Sequence, residues 1–404
     1  MQLRPHQTQA LQAMADNDLG QVIVPTGGGK TMCMIHDVIR EISHDFDRTI
    51  VVVAPRILLA EQLCKEFIEI LDVNFSTSIS YMHVHSGKVK GMFNTTKPLE
   101  IQEFVESCCG HKILFTTYHS LHRIEESGID VDTIYFDEAH NSVQKNFFPA
   151  TEYFSNNAHR CYFFTATPKH SKTLYKAGMN DTEVYGRVIC QIPAPTLVRA
   201  GYILPPKVEV YKSRILKKDE LVADRDCEQM IGAIDNIRKD KVLICAKSTK
   251  QIVGLISRTK FVDELAWRGY SWMMITSKTG AIIDGEKVTR EEFFDVLNAW
   301  GKDVTKRFVV LHHSILSEGI NVNGLEAVLF MRNMDYIGIS QTIGRVIRKG
   351  AEDKVFGLVC VPVYSNVGIS TAKKVEAVVD TIFNQGQAAT CLLYTSPSPR
   401  DLVI

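Results

Sequence analysis

The sequence predicts an α/β protein of two tandem units, each a mainly parallel sheet covered by helices on both faces. Three observations carry that prediction. Short apolar runs rich in β-branched residues alternate with longer stretches whose apolar residues recur at three-to-four spacing, the pattern of parallel strands buried between helices. The alternation occurs twice, on either side of a cluster of helix breakers at Pro193, Pro195, Gly201, Pro205 and Pro206. Finally, 404 residues with 45% hydrophobic content supply two or three cores, at roughly 150 residues per domain.

In chain order, the first set of strands is expected at Gln21–Val24, Thr49–Ala54, Ile113–Thr116, Thr133–Phe136 and Arg160–Phe164, each apolar nearly throughout. Helices are expected over Met32–Ile42 and Leu58–Leu71. The second set comprises Lys241–Ala246, Trp272–Thr276, Phe308–Leu311, Ala327–Met331 and Gly357–Pro362, with a helix over Glu291–Trp300. Trp272, Met273 and Met274 read as core, and the charged stretch Lys212–Glu228 as a solvated helix face or loop. The boundary between the units is placed near Pro205, giving domains at 1–205 and 206–365.

Composition narrows the class further. No apolar run approaches the roughly 18–20 residues that span a bilayer, and Met1 is not followed by a basic-then-apolar leader, so no membrane association and a cytoplasmic location are expected. Ten cysteines are scattered without a Cys-x-x-Cys pair, which indicates reduced thiols rather than a disulfide framework or a zinc site. The 46 basic and 46 acidic side chains balance, although residues 1–200 hold 18 and 22 of them and the remainder 28 and 24. The balance gives no argument of its own for a nucleic-acid partner.

Three motifs carry chemistry. Pro25-Thr26-Gly27-Gly28-Gly29-Lys30-Thr31 lies between an expected strand and an expected helix. Glycines there let backbone N–H groups close around phosphate oxygens at a helix N-terminus, Lys30 can reach the β- and γ-phosphates, and the Thr31 hydroxyl can ligate magnesium. The general pattern asks for a glycine where this chain has Val24. Asp137-Glu138-Ala139-His140 follows the strand Thr133–Phe136, about 107 residues beyond Lys30. A parallel sheet brings its ligands to the carboxyl ends of its strands, so Asp137 can hold magnesium while Glu138 orients and deprotonates a water. In Gln341-Thr342-Ile343-Gly344-Arg345-Val346-Ile347-Arg348, helical spacing sets Gln341, Arg345 and Arg348 on one face, where guanidinium groups suit the charge of a transferring phosphoryl group.

Taken together, the chain resembles superfamily-two helicases and translocases of the DEAH-lettered branch, which includes type III restriction-enzyme motors and phage or repair DNA helicases. The resemblance covers about residues 2–365 and follows the family's motif order: PTGGGKT at 25–31, VVVAPRILLAEQ at 51–62, FTTYHSL at 115–121, DEAH at 137–140, TATP at 165–168, SEGINV at 317–322 and QTIGRVIR at 341–348. It implies two RecA-like (P-loop NTPase) domains with ATP and Mg2+ bound between them. Lys30, Thr31, Asp137 and Glu138 then act from the first domain and Gln341, Arg345 and Arg348 from the second. Arg4 and Gln7 resemble the residues that clasp adenine in this branch, with a helix cap around Pro5 as the plain alternative, and the two are compatible. Gly319 is placed near the nucleotide, and Thr165, Thr167, His140 and Asn321 couple the nucleotide side to the nucleic-acid side. Arg56, Gln62, Thr116, Thr117 and the stretch from His85 to Gly87 are placed along the strand-tracking surface, with a packed histidine as the plain alternative for His85. His312 and His313 stand where the family often has Thr.

The implied activity is ATP-dependent movement along or unwinding of a nucleic acid, DNA favoured over RNA. A motor subunit with a nuclease or recombination partner is one alternative, and an ATP-switched binding module another. Cys391–Asp401 reads CLLYTSPSPRD, which resembles the translation of a sequencing-library adapter. The natural chain is therefore expected to diverge near Thr390, with 366–390 the start of a truncated segment and the length a lower bound.

Overall fold

The computed structural model describes residues 3–43, 46–74, 79–173, 175–212, 216–276, 279–313, 324–331, 339, 342–343, 357–363, 373–386 and 391–393. The chain divides into two compact units whose boundary falls between Ile192 and Pro193. That is upstream of the boundary expected at Pro205. The helix Ala194–Arg199 packs with the segment Asp380–Asn384, which draws the start of the proline cluster into the second unit.

In the first unit, β1 (Leu19–Ile23), β2 (Thr49–Ala54), β3 (Ile79–Val84), β4 (Phe93–Asn94), β5 (His111–Thr117), β6 (Thr133–Phe136), β7 (Arg160–Thr165) and β9 (Val188–Gln191) form one sheet in the order β4-β3-β5-β2-β6-β7-β1-β9. Every pairing in it is parallel. The central strands are buried along their whole length, which explains their unbroken apolar sequence. β1 starts earlier than expected, because Leu19 and Gly20 pair with Cys161 and Tyr162 of β7. A side chain at Gly20 would collide with Ile189, so glycine is required where β9 closes on β1. Helices α1 (Pro5–Ala15), α2 (Lys30–Ile42) and α3 (Ile57–Asn74) each extend beyond or add to the expected spans. The short strand β8 (Lys169–Ser171) pairs with Cys391–Leu393 in a separate two-stranded sheet.

In the second unit, β10 (Pro206–Lys212), β11 (Lys241–Cys245), β12 (Ser271–Thr276), β13 (Gly280–Ile283), β14 (Glu286–Val288), β15 (Phe308–His312), β16 (Ala327–Phe330) and β17 (Gly357–Val363) form a sheet in the order β10-β17-β16-β11-β15-β12-β13-β14. It is parallel from β10 to β12 and antiparallel over β13 and β14. Pro206 is tolerated because it is the first residue of an edge strand, where no ladder hydrogen bond is lost. The β13–β14 hairpin turns on Asp284 and Gly285, both at positive φ (47° and 95°), as a two-residue turn of right-twisting strands needs. Trp272, Met273 and Met274 are buried as expected. The charged stretch after Lys212 leads into an amphipathic helix, Val222–Ile237, whose buried face includes Met230, Ala233 and Ile234. Among the described residues no helix is long and apolar enough to cross a membrane, and Cys33, Cys64, Cys108, Cys109, Cys161, Cys190, Cys227 and Cys245 are thiols outside any disulfide.

Candidate active site

Three neighbouring strands of the first sheet, β6, β7 and β1, end side by side and deliver three motifs to one carboxyl edge. β1 leads into the glycine loop, and the Val24 N–H donates to the Thr165 carbonyl of β7 at 3.0 Å. Gly27 and Gly29 both take left-handed φ, at 83° and 85°, a conformation costly for any residue with a Cβ. A Cβ on Gly29 would also lie 2.4 Å from Gln7 Nε2. α2 then begins at Lys30, so its unpaired N–H groups and positive dipole end face the loop.

Gln7 ties the chain start to that loop. Its Oε1 accepts from the Arg4 N–H at 2.9 Å and its Nε2 donates to the Gly29 carbonyl at 3.4 Å. The helix-cap reading holds in geometry, since Gln7 caps α1, and the same side chain lies against the glycine loop. Pro5 occupies the first helical turn, where its missing N–H is harmless.

At the end of β6, Asp137 and Glu138 are buried, with 7% and 5% of their surface exposed. The Tyr118 hydroxyl donates to the Asp137 carbonyl at 2.8 Å. Burial, followed by the Glu138 charge, pushes the Asp137 carboxyl well above the usual carboxylate range, and Lys30 only partly offsets this. Glu138 holds a left-handed backbone, φ 47° and ψ 52°, as the residue that starts the short 3-10 turn Ala139–Asn141. Lys30 Nζ lies 3.2 Å from Glu138 Oε1, joining the glycine loop to the acidic pair across 108 residues of sequence. His140 Nδ1 is 3.0 Å from Thr165 Oγ1 and 3.5 Å from Thr167 Oγ1, and the Thr167 N–H donates to Thr165 Oγ1 at 3.1 Å. His140 Nδ1 also lies 3.6 Å from Glu138 Oε2, so Lys30, Glu138, His140, Thr165 and Thr167 form one connected cluster. Thr31 is half-buried in the first turn of α2 beside Lys30.

The donor set suits a phosphate chain with a divalent cation. Two adjacent buried acids face one lysine, and a second positive charge beside Asp137 would restore its ionised form.

Residues expected on the strand-tracking surface are placed differently from one another. Arg56 is exposed just ahead of α3, and half-buried Gln62 donates to Glu66 at 2.9 Å. Thr116 is fully buried and its hydroxyl donates to the Val84 carbonyl at 2.8 Å, so that hydroxyl is committed within the sheet; Thr117 is buried as well. His85 is buried too, with Nε2 3.1 Å from His83 Nδ1 and its Nδ1 accepting from the Gly87 N–H at 3.2 Å. Desolvation lowers both histidines to about 4, which keeps the pair neutral. In the second unit, buried His312 lies with Nε2 3.0 Å from Cys245 Sγ. Gln341, Arg345, Arg348, Gly319 and Asn321 lie outside the described residues; within their motifs only Thr342 and Ile343 are described, both helical and buried.

Sequence reasoning passed over Asp37, which is fully buried on the inner face of α2. Tyr135 donates to it at 2.7 Å, and Arg40 and Arg160 approach it at 2.5 and 3.2 Å. This network fixes α2, and with it the start of the helix at Lys30, to the sheet. An acid amid Cys33, Met34, Val38 and Ile42 on an apolar face was the signal.

Residues 1–170 match the family described as Type III restriction enzyme, res subunit. Over 99% of its length the chain aligns in structure with the ATP-dependent Type ISP restriction-modification enzyme LlaBIII bound to DNA, with a TM-score of 0.73 and 19% identity, covering 32% of that chain. A nuclease-deletion mutant of the Type ISP enzyme LlaGI in complex with a DNA substrate mimic aligns over 96% of this chain and 30% of its own, with a TM-score of 0.67 and 20% identity. Mss116p bound to ssRNA and AMP-PNP aligns over 98% of this chain and 75% of its own, with a TM-score of 0.63 and 14% identity. The chain therefore spans about a third of the length of the two restriction enzymes. No curated protein matches it.

Proposed function

We propose that this chain, which carries a helicase-like superfamily-two motor similar to those of restriction enzymes, hydrolyses Mg-ATP to move along or unwind a nucleic acid, DNA rather than RNA. The ion pair between Lys30 and Glu138 carries the reading, because it joins the phosphate loop to the acid that would serve as general base. The two DNA-bound restriction enzymes among the structural neighbours support DNA.

Lys30 would exchange Glu138 for β- and γ-phosphate oxygens. That exchange leaves Glu138 able to take a proton from the attacking water. Thr31 and Asp137 would hold magnesium, which supplies charge neutralisation on the phosphates. His140 would pass the state of Glu138 to Thr165 and Thr167 through the contacts already described. Gln7 and Arg4 would hold the adenine, and Arg345 and Arg348, with Gln341, would balance charge in the transition state. A motor subunit working with a separate nuclease is the second reading, favoured by the match of residues 1–170 to a restriction subunit family.

The test is ATP turnover with magnesium, measured across single-stranded, duplex and forked DNA and RNA. Stimulation by DNA is expected, with turnover abolished by Lys30→Ala and by Glu138→Gln while the fold persists. Full activity in both variants would sink the assignment. Arg345→Ala should lose far more in kcat than in ATP affinity, and equal losses would assign it a structural role instead.

A further inference from the structure

The strands of the second sheet gather arginine and aromatic side chains at their amino edge. Tyr270 immediately precedes β12, Arg307 immediately precedes β15 and Arg238 lies just ahead of β11, so these residues share the amino edge, opposite the carboxyl ends that carry Cys245 and His312. A cavity of about 480 Å³ opens there, floored by Ile234 and walled by Arg238, Trp267, Arg268, Tyr270 and Arg307. That volume falls within the range of sites that take a compact ligand or an anchoring side chain.

The walls are rigid. Arg268 is held by both oxygens of Asp235, at 2.6 and 2.9 Å, and by Glu264 at 2.6 Å, and its guanidinium lies 5.1 Å from the Trp267 ring centre. Arg307 is held by Asp240 at 2.7 Å, donates to the Arg268 carbonyl at 2.8 Å and the Tyr270 hydroxyl at 3.1 Å, and stacks 4.3 Å over the Tyr270 ring. Two groups are left facing outward. Trp267 is 81% exposed, although an indole is among the costliest side chains to leave in water. Arg238 is exposed, and its guanidinium makes no hydrogen bond or ion pair among the described residues.

Charge decides the class of partner. Arg268 and Arg307 are already neutralised by Asp235, Glu264 and Asp240, which leaves Arg238 as the one unpaired guanidinium among the cavity's described lining residues, too few such charges to bind a nucleic acid by displacing its counterions. A pre-ordered Trp beside one uncommitted Arg is instead the composition of a protein-binding hot spot, where little side-chain entropy remains to be lost. We propose that this cavity docks a segment of a partner protein, one that inserts an aromatic or aliphatic side chain beside Trp267 and sets a carboxylate on Arg238. A planar guanidinium suits that carboxylate in two-point contact. The inference is independent of the ATP site, and none of its residues belongs to the motor machinery.

The experiment is selection of a displayed random-peptide library on the full chain, with counter-selection on the Trp267→Ala and Arg238→Glu variants. Peptides that pair an acidic residue with an aromatic or aliphatic one should be enriched. Either substitution should weaken such a peptide by about tenfold or more, and Arg238→Glu should regain binding to the same peptide with lysine in place of its acid. ATP turnover of both variants should stay unchanged, which separates this outcome from failure of the motor assignment. Should Trp267→Ala misfold, Trp267→Phe and acrylamide quenching of the native indole give the same reading. The proposal is overturned if no peptide discriminates the variants, if the enriched peptides are basic, or if a thymidine oligonucleotide shields Trp267 where peptides do not.

Discussion

The two edges of the first sheet bury charge in opposite ways. At the amino edge, Asp37 has no exposed surface, yet it is met by the Tyr135 hydroxyl and by two guanidinium groups, and Arg160 is shared with Glu41. At the carboxyl edge, Asp137 and Glu138 stand side by side with Lys30 as their nearby cation, and Asp137 is pushed toward its neutral form. Paired burial holds α2 in place. Under-compensated burial creates a demand for a cation, which suits a site that works only when loaded.

Breaking each edge should therefore fail in a different measurement. Asp37→Ala strands Arg160 and the Tyr135 hydroxyl in the interior, and we expect a loss of about 3–5 kcal/mol in denaturant unfolding of the first unit. Glu138→Gln removes a charge the fold does not need. It should leave the unfolding midpoint within about 0.5 kcal/mol of the parent while turnover disappears. A large stability loss in the second variant, or none in the first, would dissolve the contrast.

A third manner of burial sharpens it. His83 and His85 avoid charge altogether, both lowered to about 4 by desolvation. Their folded pKa values lie below the unfolded value near 6.5, so the unfolded chain binds more protons between those limits. The stability they permit is complete above about pH 6.5 and is lost as pH falls through about 4. Replacing both with Gln should flatten the pH dependence of unfolding in that window. An unchanged slope would place the acid sensitivity elsewhere.

The legible and illegible parts of the sequence divide on physical lines. Strands buried on both faces announce themselves by composition, and β2 and β6 match their expected bounds residue for residue. β3 is hard to read from sequence because half of it is only partly buried and His83 interrupts its apolar run, and β10 because two prolines mark its start. The β13–β14 hairpin has an Asp-Gly turn signal, but only the apolar run Ala281–Ile283 flanks it on one side, while charged Glu286 and Lys287 follow on the other and mask the second strand. In the site, the glycine loop and the acidic pair were legible because backbone geometry and charge are local demands. Their linkage through His140 and Thr165 was suggested only by family resemblance, and the supporting role of Asp37 depends on Tyr135 and Arg160, far away in sequence and near only after folding.

The smallest expected effect isolates the backbone at the carboxyl edge. Glu138 adopts φ 47°, where a side chain crowds the neighbouring carbonyl, whereas the ends of β1 and β7 beside it carry no such strain outside the glycines. Glu138→Gly and Glu138→Ala both delete the carboxylate and its contact with Lys30, so the difference between them reports the conformation alone. Glycine ordinarily destabilises relative to alanine through the entropy of the unfolded chain. Here the order should invert, with the glycine variant about 1 kcal/mol more stable in urea unfolding. The strain would then be a cost that the fold carries to aim a carboxylate at the glycine loop, and an alanine variant as stable as the glycine one would show that the turn relaxes freely without it.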